Sequence, residues 1–129
     1  MKQNKVLPSD LPNIDHEQFH QIRLKHLVST GVSEDPIKIL ILYGFLRERS
    51  YSRFVAQEAD RLVRFLGGET RIFNPKGLQL PDAVDASHEK VQELRDSASW
   101  SEGMIWVSPE RHGAMTGIMK SQIDWIPLS

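Results

Sequence analysis

The run Ile37-Lys38-Ile39-Leu40-Ile41-Leu42-Tyr43-Gly44 constrains this chain more than any other stretch. It is almost continuously aliphatic. A strand with one wet face would alternate apolar and polar residues, and this one does not. It reads as a strand buried on both faces, the signature of a parallel sheet covered by helices on each side.

The residues that follow support that reading. Phe54, Val55, Ala59, Leu62, Val63 and Leu66 recur at helical spacing, and Gly67-Gly68 stops the helix. "TRIF" predicts a short second strand and "NPKG" a turn. Ser87 is a candidate N-cap for a second helix with Val91, Leu94 and Ala98 on one face. "GMIWVSP" predicts a third strand and "ERHGAMTG" a loop. Ile118, Met119, Ile123 and Ile126 belong to a third helix that Pro127 closes. The order is β-α-β-α-β-α, which implies a parallel sheet with crossover helices. Residues 1–36 read instead as an N-terminal arm, punctuated by Pro8, Pro12 and Pro36, with a short helix expected from about Asp15 to Val28.

Composition narrows the function. The 129 residues suit one domain, with 40 % hydrophobic and 26 % charged residues, as in ordinary globular proteins. A formal charge of -1 leaves no electrostatic footprint for nucleic acid and no polybasic membrane signal. With no cysteine, a disulfide scaffold, an iron–sulfur cluster and a thiol nucleophile are excluded. The N-terminus lacks a secretory h-region and no apolar run approaches a membrane span, so the expected address is the cytoplasm.

In parallel sheets, ligands sit beyond the carboxyl ends of strands. Two polar, glycine-bearing loops leave such ends, residues 44–53 and 109–117. If the first and third strands are neighbours, these loops face one another across one crevice. The first loop carries Arg47, Ser50, Tyr51 and Ser52 into a helix starting near Ser50 or Ser52. Free N–H groups at a helix start, two hydroxyls and a guanidinium fork suit a phosphate. Neither G-x-G-x-x-G nor a P-loop is present. The competing reading is that a serine merely caps the helix and the arginines are solvated. In the second loop, Pro109, Gly113 and Gly117 would let backbone approach a flat ligand, or simply connect strand to helix. His112 alone reads as polar surface as readily as a functional group.

Taken together, Gly44-Phe45-Leu46-Arg47-Glu48-Arg49-Ser50 and Pro109-Glu110-Arg111-His112-Gly113, followed by Gly117 to Lys120 and Ile123-Asp124-Trp125, resemble the NADPH-dependent FMN reductase family. The segments "LRERSYSR", "SPERHGAMTGIMKSQIDWIPLS" and "DLPNID" are similar to the arsenic-resistance flavoproteins within it. The resemblance implies a flavodoxin-like fold, a three-layer α/β arrangement around a parallel sheet, over residues 37–129. It implies that Arg47, Ser50, Tyr51 and Ser52 hold the FMN phosphate. It implies that Pro109, Glu110, Arg111, His112 and Gly113 line the isoalloxazine and ribityl side. Hydride would pass from NADPH to flavin, then electrons to a quinone, dioxygen, ferric iron or an organoarsenical. The flavin carries that chemistry, so no catalytic side chain is implied. A homo-oligomer, a tetramer in such proteins, is implied as well.

Two departures shape the expectation. Phe45 stands where the family has Ser, removing a donor and adding bulk, which predicts weakened phosphate binding. Family chains also continue through two further strands and helices. The chain therefore reads as the N-terminal half of such a protein, truncated after the third β-α unit, with "MIWV" left at a sheet edge. The alternative function is a non-catalytic flavodoxin-like fragment that binds flavin weakly or only with a partner chain. A third reading takes "HEQFH" as a zinc motif, with His16 and His20 as ligands and Glu17 as base. No third ligand follows at a recognised spacing, and a polar helix turn in the arm is the favoured account.

Overall fold

A computed structural model describes residues 35–127. The expected arm helix and the His16/His20 pair lie outside these residues.

The long aliphatic run forms β1 (Lys38–Tyr43), followed by α1 (Tyr51–Phe65), β2 (Glu69–Phe73), α2 (Glu89–Trp100) and β3 (Gly103–Val107). Two short strands, β4 (Glu110–Arg111) and β5 (Ala114–Met115), then precede α3 (Gly117–Trp125). The sheet order is β2-β1-β3 and both pairings are parallel. Ile39 aligns with Thr70 on one side and Gly103 on the other, and Leu42 with Phe73 and Trp106. β1 is thus the central strand, and Leu40, Ile41 and Leu42 are fully buried.

Side-chain alternation along β1 divides the core into two layers. Leu40 and Leu42 face α2 and α3 and pack with Phe73, Val91, Leu94, Met119 and Trp125. Ile41 and Tyr43 face α1 and pack with Ala56 and Ala59. Helices on both faces of a parallel sheet account for a strand with no polar alternation.

Four local expectations change. Ser87 does not cap α2: both its N–H and its hydroxyl bond Asp85 Oδ1, and His88 is the cap, its Nδ1 accepting from Lys90 N–H at 3.2 Å. An Asx turn at Asp85 has claimed the serine that spacing offered as a cap. The loop after β3 contains a tight hairpin, β4 against β5, turned by His112 (φ 54°) and Gly113 (φ 78°). Two successive positive φ angles are what a two-residue hairpin turn demands. Gly113 therefore serves the turn, and Gly117 is the first residue of α3 with open space beside it. Finally, Phe54 and Val55 on α1, and Leu66 at its C-cap, are half-exposed or more, because the helix meets the sheet through small residues, Ser52 and Ala56.

β3 has no described partner on its outer edge. Met104 and Trp106 point to the α2/α3 side of the sheet, in register with Leu40 and Leu42, yet Trp106 remains 51 % exposed.

Candidate functional site

At the carboxyl end of β1 the chain passes through buried Gly44 into the exposed loop 45–49. Gly44 N–H donates to Val107 O at 2.9 Å, so the β1 and β3 ends leave the sheet side by side. The two loops anticipated to face one another do start from adjacent strands.

α1 begins where its cap chemistry dictates. Ser50 is 3 % exposed, with extended backbone, and its Oγ accepts from Arg53 N–H at 3.4 Å while its carbonyl accepts from Phe54 N–H. This leaves the N–H groups of Tyr51 and Ser52 without an acceptor among the described residues, at the positive end of the helix. Ser52 is buried beside them, whereas the Tyr51 ring is 90 % exposed. Any role of Tyr51 at this end is therefore carried by its backbone N–H. Arg47 is exposed in the loop just before the cap, its guanidinium 5.6 Å from the Phe45 ring centroid.

The hairpin supplies the other half. Arg111 reaches to within 5.9 Å of the same Phe45 centroid. Phe45 thus draws a guanidinium from each loop toward one ring. The Glu110 carboxylate accepts from Gly113 N–H and so braces the turn rather than pointing away from it. His112 occupies the left-handed turn position, and the Pro109 carbonyl accepts from Ser108 Oγ at 2.9 Å.

Between these parts lies an open cleft of about 390 Å³. Its walls are mostly apolar: Leu46 from the first loop, Pro75, Leu78 and Leu80 from the segment after β2, and Ile118 from α3. Of the residues singled out in the sequence, Arg111, Gly117 and Phe45 line it. Ser50 and Ser52 stand at the start of α1 and Arg47 in the loop before it, against the Phe45 ring, while Glu110, His112 and Gly113 belong to the hairpin that carries Arg111 and Pro109 precedes it. The segment 75–80 is an addition that sequence reading missed. "NPKGLQLP" leaves the carboxyl end of a strand, as ligand loops do, but the brevity of "TRIF" hid the signal. Buried Thr116 and partly buried Ser108, which joins it by a hydrogen bond, were missed too.

On the α1 side of the sheet, burial pushes the Tyr43 phenol above its ordinary range, with Arg53 pulling the other way. It remains a neutral hydroxyl that donates to Asn74 Oδ1 at 3.1 Å. Among the described residues, no group of three or more His, Asp or Glu is placed to hold a metal ion, and no helix is long and apolar enough to cross a membrane.

A parallel sheet in the order β2-β1-β3 with helices on both faces defines a flavodoxin-like α/β protein. The profile of the NADPH-dependent FMN reductase family matches residues 37–128. The chain belongs to that family. It is 68 % identical over 122 residues to the NADPH-dependent FMN reductase ArsH of Rhizobium meliloti, covering 93 % of this chain and 49 % of that protein. It is 50 % identical over 123 residues to the ArsH of Acidithiobacillus ferrooxidans, covering 95 % of this chain and 52 % of that protein. The ArsH of Shigella flexneri is 56 % identical over 101 residues, 76 % of this chain and 40 % of its own length. The chain spans about half the length of the curated relatives it matches.

Proposed function

We propose that this chain carries the FMN-binding part of an NADPH-dependent oxidoreductase of the ArsH kind. The observation that carries the reading is the adjacency of two complementary surfaces. Unbonded N–H groups of Tyr51 and Ser52, with Arg47 beside them, suit a phosphate. A mostly apolar cleft past Phe45 suits a flat ring system. FMN has both features, and the donor set present fits it.

In this reading Arg47 and the first turn of α1 hold the phosphate. Arg111 and the hairpin from Pro109 to Gly113 flank the ring. Leu46, Leu78 and Ile118 exclude water from the cleft. The chemistry supplied by FMN, when bound, is two-electron transfer from NADPH to a second acceptor such as a quinone, dioxygen, ferric iron or an organoarsenical. No side chain is asked to act as acid, base or nucleophile. The reading extends to a part in arsenic resistance, a cytoplasmic location and homo-oligomeric assembly.

The test is a visible spectrum of the purified chain after addition of FMN and desalting. A retained flavin band that bleaches with NADPH is the expected result; a colourless protein would overturn it. A second reading, a fragment that binds flavin without turnover, is favoured by the bulk of Phe45 at the cleft and by the uncovered face of β3. Retained colour without bleaching would select it.

A further inference from the structure

The loop between Gly44 and Ser50 has an unusual weakness. No hydrogen bond joins residues 45–49 to another described residue. Apart from the contact of the Phe45 ring with Arg111, the path of Arg47 is therefore set by the two roots of the loop. Ser50 fixes one root as the α1 cap. Gly44 fixes the other, and it is held by Val107 O through its N–H and by one side chain, that of Thr116, through its carbonyl.

Thr116 is 3 % exposed and every polar atom it has is in use. Its hydroxyl donates to Gly44 O at 2.7 Å and accepts from Met119 N–H at 3.2 Å, capping α3. Its own N–H donates to Ser108 Oγ at 3.0 Å, and its carbonyl accepts from Lys120 N–H at 3.0 Å. Ser108 and Thr116 bracket the hairpin that carries Arg111. The contact is close-fitting: a Cβ on Gly44 would come within 2.6 Å of Thr116 Oγ1 and 3.0 Å of Ser108 Oγ.

We infer that Thr116 is a positioning residue, whose hydroxyl locks the root of the Arg47 loop to the base of the Arg111 hairpin so that both arginines address one ligand. The inference rests on the FMN reading for the identity of that ligand, but not for the lock itself. A hydroxyl has one proton to give, and here it goes to Gly44 O. Capping uses only the lone pair. The two duties can therefore be separated by substitution.

Thr116→Ser keeps both duties. Thr116→Asp keeps the acceptor for Met119 N–H and loses the donor to Gly44. Thr116→Val loses both. Since the chain has no cysteine, a nitroxide placed through Glu48→Cys reports the loop directly. The expected result is unchanged label mobility in the Ser variant and increased mobility in both Asp and Val variants. FMN affinity, by fluorescence quenching, is expected to stay within about twofold for Ser and to fall about tenfold for Asp and Val, the loss of about one well-formed bond. If label mobility in the Asp variant equals that of the unsubstituted protein, Thr116 is only a cap and the inference falls. If mobility follows the hydroxyl while no variant, nor the parent, binds FMN, the lock stands and the flavin reading falls.

Discussion

At the scale of single residues, the site depends on what Gly44 lacks. Three atoms crowd the space where its Cβ would stand, two of them from the hydrogen-bonded Thr116–Ser108 pair. Gly44→Ala is expected to cost about 1–3 kcal/mol, as other overpacked positions do, and to lower the urea midpoint measurably. Phe45 is the opposite case, a residue whose bulk is present where it is not needed. Its ring attracts Arg47 and Arg111 at 5.6 and 5.9 Å. Exposed cation–π contacts contribute about 0.5–1 kcal/mol each. Phe45→Ser releases both guanidinium groups and adds a donor, so FMN should bind several-fold tighter while riboflavin, without a phosphate, should not. Comparing the two ligands by fluorescence titration checks this; equal gains for both would mean that Phe45 acts through space alone. Phe45 and Arg47 were legible in the sequence because they sit at a strand end. Thr116 was not, because a threonine among small loop residues carries no sign of the carbonyl 72 positions away that it will meet.

Among elements, α1 shows how a helix is held with little apolar contact. Beyond Ala56 and Ala59, it is tied to β2 through Asp60, which accepts from the Thr70 hydroxyl and from Arg64 Nε at 2.9 Å. Arg64 also reaches Thr70 O at 3.3 Å. Partial burial raises the Asp60 carboxyl, but the Thr70 hydrogen bond and Arg64 outweigh it, and the net shift is downward. A carboxyl depressed in the folded state contributes stability above its unfolded value, ordinarily about 3.9. That contribution is lost as the pH falls through the lower, folded value. Asp60→Asn is expected to lower stability by about 1 kcal/mol at pH 7, and the gap should close as the pH falls through the lowered value of the folded carboxyl. Urea unfolding of both proteins across that range decides it; a gap that persists in acid would assign the effect to packing. The cap of α1 gives a parallel expectation. Ser50→Ala should cost about 1 kcal/mol of stability and weaken FMN more than riboflavin, measured by paired titrations. Elements of strong periodicity, β1, β3 and α3, were readable in the sequence. The α2 cap and the β4–β5 hairpin were not, since Asp85 diverted Ser87 and since "RHGA" has no strong turn dipeptide to announce two left-handed residues.

For the whole molecule, the sheet face is unevenly covered. α2 and α3 shield Leu40, Leu42 and Phe73, and their cover stops short of β3. Met104 and Trp106 therefore add apolar surface beside a parallel edge that is unpaired among the described residues, a combination that promotes association. The 129-residue chain is expected to self-associate as its concentration rises, and Trp106→Lys to reduce this with little change in thermal midpoint. Sedimentation velocity checks it, and unchanged association in the variant would move the sticky surface elsewhere. The layered parallel fold itself was fully implied by one unalternating strand. The uneven cover was not, because half-exposed Met104 and Trp106 look the same in sequence as buried ones.

The central place of β1 also bears on how the protein is made. Its neighbours lie far downstream: Lys38 N–H donates to the Glu102 carboxylate 64 residues later, beside the β1–β3 pairing. At about 5–20 residues per second, a ribosome needs roughly 3–13 s to supply the second flank after β1 emerges. Throughout that interval the most water-averse segment of the described chain is on display with only β2 and α1 to shelter it. A synonymous pause placed between β2 and β3 is therefore expected to lengthen the exposure and lower the yield of native protein.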